Sequence, residues 1–476
     1  MQKQSDSKTI VKNIGFLYNG EIIGQILTLI LVIVISRQLG DVGLGKYSFA
    51  FSFAAIFLLF ADFGLPTLIT KEVAKNRKLA EEHLSKTFTL KFILNFLTLI
   101  VTIIAIYALK KDSETVLLVL IASIAMFFYN FAGIFRSMLQ AYEIMKYEVI
   151  AKAAERTIAA SLGIYLLLKG YGIFALFITL LASNFVYYIL LHYFSAKKIS
   201  SIKIAFDFKY WKKTIKSSFP FWLTIIFVSF YVRIDTIMLG FMKDYASTGW
   251  YNAAYRIIDV FVRILFLPII AVFPALSKFH KVSVPKTTLL YEKSFYYMMV
   301  LSVPVVTGLV MLSQKIILAV YGSQFVNSII ALKILGFALF FTSLNYLMGY
   351  LLNSIDKQKL FTITTGTATV LNILLNLFLI PIYGYIGAGI ATVASEIVNF
   401  SMLYYFTRKN NFPVNILKLV LKPALAAAVM AVVVYSLMPY LNVVFLSLIG
   451  AAVYFLTMFI IKGLGKDEMN LIKSFF

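Results

Sequence analysis

The sequence contains no cysteine and only three histidines in 476 residues. Without thiols there is no disulfide framework, no cysteine nucleophile and no thiolate metal site, and the redox compartment is unreadable. His83, His192 and His280 are scattered and give no metal-ligand spacing. Acidic residues are scarce too, 21 against 44 Lys and Arg, and no polar stretch is long enough for a soluble catalytic domain. No cofactor and no metal are expected, and the identity of any coupling ion stays open. A cleavable signal is not expected either, because the apolar run after Lys12 is too long for an h-region.

What the chain has in abundance is apolar surface. It is 61% hydrophobic and 16% aromatic but only 14% charged, with a mean hydropathy of +0.88, far outside soluble averages. Such a chain is an all-α polytopic membrane protein. Runs of roughly 20 apolar residues, the length a spanning helix needs, can be placed about fourteen times. They fall near 14–36, 47–70, 87–109, 115–139, 147–168, 172–194, 215–241, 247–274, 293–319, 326–353, 359–382, 384–407, 416–438 and 441–462.

Basic residues alternate with these spans. Lys3 to Lys12, Lys71 to Lys86, Lys146, Lys197 to Lys213, Lys278 to Lys286, Lys357 to Lys359, Arg408 to Lys409 and Lys462 to Lys473 fall on one side. The opposite side has only Arg37, Lys46, Lys110, Lys111, Lys169, Lys243 and Lys315. The positive-inside rule then puts both termini in the cytoplasm. The net charge of +23 is spread over many short loops, which fits attraction to anionic lipid and argues against nucleic-acid binding.

An internal repeat organises the chain. Leu39-Gly40 through Gly45-Lys46-Tyr47 recurs as Leu239-Gly240 through Gly249-Trp250-Tyr251. Tyr171-Gly172, Ala182-Ser183 and Tyr193-Phe194 recur as Tyr383-Gly384, Ala394-Ser395 and Tyr405-Phe406, and Leu139-Gln140 recurs as Leu352-Asn353. An interval of six helices returns the chain to its starting side, so the halves are parallel repeats about a pseudo-two-fold axis along the membrane normal. The expected domains are a first lobe at 1–196, a basic cytoplasmic linker at 197–214, a second lobe at 215–409, and two extra helices with a tail at 410–476. Rocking of the lobes would give alternating access to a path between them.

Ionisable residues within spans mark the candidate site, because a charge at the bilayer centre costs about 2.5–3.5 kcal/mol on insertion scales and normally faces a partner or water. Helix eight has Arg256, Asp259 and Arg263 at i, i+3 and i+7, on one face. That face is expected to line a cationic cavity, with structural ion pairing as the alternative. Arg233 and Asp235 are two residues apart, about 200° around a helix, so only one of them can join that face. Glu21 and Gln25 lie one turn apart in helix one and face the cavity or pair across the lobes. Asp62, ahead of Gly64 and Pro66, is either exposed by a broken helix or holds the break together. Lys333 in helix ten and Glu396 in helix twelve are further candidates, and Arg37 and Arg136 sit near helix ends where interfacial anchoring is expected.

Ser36-Arg37-Gln38-Leu39-Gly40, Gly45-Lys46-Tyr47-Ser48 and Ala61-Asp62-Phe63-Gly64-Leu65 ahead of Lys71 to Lys78 resemble the opening helices of polysaccharide-type flippases. The Tyr-Gly turns before helices six and twelve fit as well. These flippases belong to the multidrug, oligosaccharidyl-lipid and polysaccharide exporter (MOP) superfamily, and the likeness covers essentially the whole chain. It implies transfer of an oligosaccharide on a polyprenyl phosphate or diphosphate from the cytoplasmic to the outer leaflet of a prokaryotic cell membrane. The protein would be a monomer in contact with membrane lipids and glycan-assembly enzymes, and not an enzyme. Other readings are a cation-coupled multidrug exporter, which calls for acidic dominance in the cavity, a lipid II flippase, and a membrane glycosyltransferase, which calls for a large carboxylate-bearing loop. Gly40 to Lys46 satisfies G-x-x-x-x-G-K, but Tyr47 stands where Ser or Thr must hold magnesium, so ATP hydrolysis is not expected.

Overall fold

The computed structural model describes the backbone of residues 2–199 and 203–464, and their side chains apart from those of residues 2–23, 220, 221 and 224. Among the described residues every regular element is helical. The order is α1 (Gln2–Asp62), α2 (Leu65–Lys75), α3 (Ala80–Ala108), α4 (Ser113–Ala141), α5 (Lys146–Leu168), α6 (Gly172–Lys198) and α7 (Phe208–Met242), then α8 (Tyr245–His280), α9 (Val284–Val320), α10 (Ser328–Ser354), α11 (Gln358–Tyr383), α12 (Tyr385–Lys409), α13 (Ile416–Leu437) and α14 (Val443–Ile460). Short 3-10 turns, Arg77–Leu79 and Ser323–Phe325, precede α3 and α10.

Twelve of these helices are long and apolar enough to cross a membrane, counting the kinked α1 once. The expected run at 147–168 corresponds to α5, which is not among the twelve because it carries Lys146, Glu148, Lys152, Glu155 and Arg156 within 23 residues.

The first two expected spans turn out differently from the sequence pattern. No loop separates them: two helices meet directly at Gly40, whose non-helical φ of 69° and ψ of −167° suit a residue without Cβ. The second span, expected at 47–70, is cut after Asp62. Phe63 and Gly64 both take positive φ, 47° and 69°, and α2 restarts with Pro66 in its first turn, where the missing N–H costs nothing.

The repeat is written into the turns as well as the sequence. Positive φ recurs at Lys110 and Gly322 (48° and 91°), at Glu143 and Asp356 (61° and 59°), and at Gly172 and Gly384 (74° and 57°). Each pair is displaced by 212 or 213 residues.

By compactness the chain forms two units, Met1–Gly249 and Trp250–Phe476. The expected lobes part at the 197–214 linker; the compact units part later because α7 packs against α1, α2 and α3. In the first unit α4 packs against α6, α1 and α2, around Ile69, Leu84, Phe135, Met138, Leu139, Tyr187 and Leu191. In the second unit α10 and α11 pack against α12, and α13 and α14 close on α9 around Val300, Leu312, Met430, Val434, Leu446 and Tyr454.

Two features of the first unit come from the repeat and the linker. The corner after the Gly40 kink meets the start of α8 in a reciprocal fashion. A Cβ on Gly45 would collide with the Tyr245 carbonyl, and a Cβ on Gly249 with the Asp41 carbonyl. These are equivalent positions, 204 residues apart, packed backbone to backbone. Lys111 closes the same corner by donating to the Gly240 carbonyl at 2.7 Å.

The linker lies along α3 as a strap. Its Lys203 and Ala205 amides donate to Ser85 Oγ (3.1 Å) and Thr89 Oγ1 (3.0 Å). Asp207 accepts from Lys86 Nζ at 2.7 Å and caps α7 by accepting from the Tyr210 amide at 2.8 Å. The Lys86 ammonium, and next the Tyr210 N–H, hold the Asp207 carboxyl below the usual carboxylate range.

Candidate functional site

In the first unit the helix break is anchored by a buried ion pair. Lys91 of α3 is fully buried, and its ammonium lies 3.0 Å from Asp62 Oδ1. The absence of a side chain at Gly133 of α4 leaves room beside the Lys91 ammonium and the Pro66 ring. A long, compact cation seated at the break lets α1 end at Asp62 without stranding the carboxylate in an apolar lobe. Deeper on α3, Asn95 accepts from Asn130 Nδ2 of α4 at 3.0 Å. A second polar layer joins α4 and α5: Gln140 donates to Glu148 Oε2 at 2.9 Å, and Lys152 to the Tyr129 hydroxyl at 3.3 Å.

Arg136 is half-buried in the groove between α2 and α4 and lines a cavity there. The helix end at which interfacial anchoring was expected is also where α2 packs against α4. Packing of α2 against α4 draws the side chain inward.

In the second unit the predicted face of α8 is present as spaced. Arg256 Nη1 lies 3.8 Å from Asp259 Oδ2, both side chains being about 30% exposed at 30% and 29%. That is a loose pair with capacity to spare for another acceptor. Arg263, two turns from Arg256, is exposed. Aromatic rings adjoin this helix, with Phe266 edge-on to Tyr346 and Tyr350 of α10 at 5.1 and 5.4 Å. Asp259, Arg263 and Glu396 lie within electrostatic reach of the Tyr346 hydroxyl, so charges and aromatic hydroxyl share one neighbourhood.

The other predicted residues are distributed as follows. Glu396 is buried on α12 and accepts from Asn345 Nδ2 of α10 at 2.6 Å, a packing contact between two helices of the second unit. Arg233 stands over the Phe51 ring at 5.7 Å, and Asp235 is buried. Gln25 is half-buried on α1, Arg37 is exposed near the kink, and Lys333 is exposed in the second turn of α10. The side chain of Glu21 lies outside the described residues. No group of three or more His, Asp or Glu able to hold a metal occurs among the described residues.

The sequence reasoning missed Lys91 and Lys152, and gave no sign that Arg136 lines a pocket with α2. The signal was available for Lys91, a lone cation in the apolar run Thr87 to Phe96, under the same rule that singled out α8.

The fold is shared with solved transporters. A structure described as the lipid II flippase MurJ in an inward closed conformation superposes with a TM-score of 0.81, covering 94% of this chain and 98% of that one at 19% identity. An inward-facing MATE transporter of the MOP superfamily gives 0.65 over 84% of this chain and 99% of that one, at 16% identity. Among curated proteins, the probable low-salt glycan biosynthesis flippase Agl15 of Haloferax volcanii is 28% identical over 36% of each chain. The probable flippase AglR of the same organism is 28% identical over 49% of this chain and 51% of its own length. The chain thus spans only about a third to a half of these two curated relatives. The family model described as polysaccharide biosynthesis protein matches residues 10–280, more than half of the sequence. This multi-pass membrane protein therefore belongs to the polysaccharide biosynthesis protein family.

Proposed function

We propose that the protein flips a lipid-linked oligosaccharide, carried on a polyprenyl phosphate or diphosphate, from the cytoplasmic to the outer leaflet by alternating access. The observation that carries this is the α8 face. Arg256 and Arg263 outnumber Asp259 in the otherwise apolar stretch Tyr255 to Pro274 of α8, so the face holds a net positive charge at membrane depth. Arginine stays ionised there and presents a planar fork matched to phosphate oxygens. The neighbouring Tyr346 and Tyr350 offer ring faces and hydroxyls suited to sugar. A carrier for organic cations calls for the opposite sign. Both termini are proposed to be cytoplasmic, on the distribution of Lys and Arg. The protein is proposed to act as a monomer without a cofactor, and without making or breaking covalent bonds.

Proteoliposomes test the choice of cargo. A fluorescent polyprenyl-diphosphate sugar placed in one leaflet should gain access to a membrane-impermeant quencher on the other side only when the protein is present. A fluorescent organic cation should not accumulate. Transport of the cation without movement of the lipid would reverse the assignment.

A further inference from the structure

A second cationic feature, which shares no residue with α8, lies in the first unit. Between α2 and α4 is a cavity of about 310 Å³ lined by Pro66, Thr67, Thr70, Lys71, Arg136 and Gln140. The residues from α2 and those from α4 each fall within one helical face. The volume is many times that of a single water site, roughly 10–15 Å³ on the same kind of measure.

The carboxylates near it have other hydrogen-bond partners. Asp62 and Glu148 are carboxylates within electrostatic reach of Arg136, but each has its hydrogen bond from another side chain. Asp62 is held by Lys91 at 3.0 Å, and Glu148 accepts from Gln140 at 2.9 Å. Arg136 has no hydrogen-bond acceptor of its own among the described residues. A guanidinium cannot shed its charge in a protein, and leaving its fork of donors unused in a helical lobe is costly. Thr67 likewise makes no hydrogen bond among the described residues, whereas the Thr70 hydroxyl is committed to the Pro66 carbonyl at 3.0 Å.

The repeat argues that helix packing alone does not require this cation. The interval of 213 residues that carries Leu139 to Leu352 carries Arg136 to Gly349. At Gly349 the backbone sits directly against the Phe361 ring, so the equivalent turn of the second half packs with no side chain at all.

We propose that the α2–α4 cavity is an oxyanion site that binds a phosphate or diphosphate group. The Arg136 fork supplies paired charge-assisted hydrogen bonds, Thr67 a hydroxyl donor, and exposed Lys71 a positive charge at the mouth. The same chemistry suits the headgroup of a phosphorylated lipid and a free phosphate.

The test uses the full chain in phosphatidylcholine nanodiscs, carrying Arg256→Gln and Arg263→Gln so that α8 does not contribute. Radiolabelled inorganic diphosphate should bind saturably, one per chain, by equilibrium dialysis. Adding Arg136→Gln should weaken binding about 10- to 100-fold, the loss expected for hydrogen bonds to a charged group. Arg136→Lys, which keeps charge but not the fork, should fall between. If Arg136→Gln fails to give a monodisperse protein, Thr67→Val combined with Lys71→Gln should weaken binding in its place. Displacement of the label by farnesyl diphosphate assigns the site to a lipid headgroup, and displacement by free phosphate alone assigns it to a soluble anion; either keeps the site. Absence of saturable binding, or equal affinity with and without Arg136, overturns it. Neither result bears on α8, whose arginines are absent from every chain compared.

Discussion

The Asp62–Lys91 pair makes an asymmetric prediction about stability. Lys91 is fully buried, while Asp62 is 26% exposed, so the two partners differ in what remains when the other is removed. Replacing Asp62 by Asn leaves a buried ammonium without its carboxylate, with the Arg136 guanidinium as a second cation near it. Removing one partner of a buried pair costs about 3–5 kcal/mol. Replacing Lys91 by Met leaves a carboxylate that already touches water and still has Arg136 in electrostatic reach, while the methionine fills the apolar slot. The loss there is of one charged hydrogen bond, about 1.5–3 kcal/mol, offset in part by packing. Asp62→Asn should therefore be the more damaging single change, and the double variant should be no less stable than Asp62→Asn alone. A double-mutant cycle of unfolding in micelles with increasing dodecyl sulfate measures this directly. If the single variants cost the same, or if the cycle shows no coupling, the pair is not what holds the helix break.

The reciprocal corner predicts that Gly45→Ala and Gly249→Ala each destabilise by about 1–3 kcal/mol, as overpacking does, because each Cβ meets a backbone carbonyl. Gly308, beside which a Cβ has open space, is the control in the same unfolding assay. The strap on α3 predicts a pH dependence. The Asp207 carboxyl is held below its ordinary range by Lys86 and Tyr210, so folding favours the carboxylate. Its contribution is complete above the ordinary value of about 3.9 and is lost as pH falls through the lower folded value. Pepsin cleavage within 203–211 should accelerate as pH drops through that region, and Asp207→Asn should be cut faster than the parent chain at about pH 5.

Much of the architecture was legible because membranes impose simple rules. Length and hydropathy located the helices, and the displacement of Leu139-Gln140 to Leu352-Asn353 reappears in the paired turns at Glu143 and Asp356. What hydropathy does not encode is local backbone geometry. Gly40 joins two helices directly where a loop was expected, and Phe63-Gly64 cuts a run that reads as one span, since both are decided by φ rather than by polarity. Spacing placed Arg256 and Asp259 in contact range, since i and i+3 share a face. It gave no warning of Lys91 meeting Asp62, a contact between residues 29 apart that depends on how α3 docks against the break. Nor does nearness to a helix end say which neighbouring helix covers Arg136.

The central claim is that the arginines of α8 carry an anionic lipid-linked sugar through the membrane. The direct measurement is the rate of leaflet exchange of a polyprenyl-diphosphate sugar in proteoliposomes, for the parent chain and for Arg256→Ala and Arg263→Ala reconstituted in equal, monodisperse amounts. Loss of exchange in both variants, with the helical signal in circular dichroism unchanged, is the predicted result. Exchange at the parent rate in either variant would contradict it.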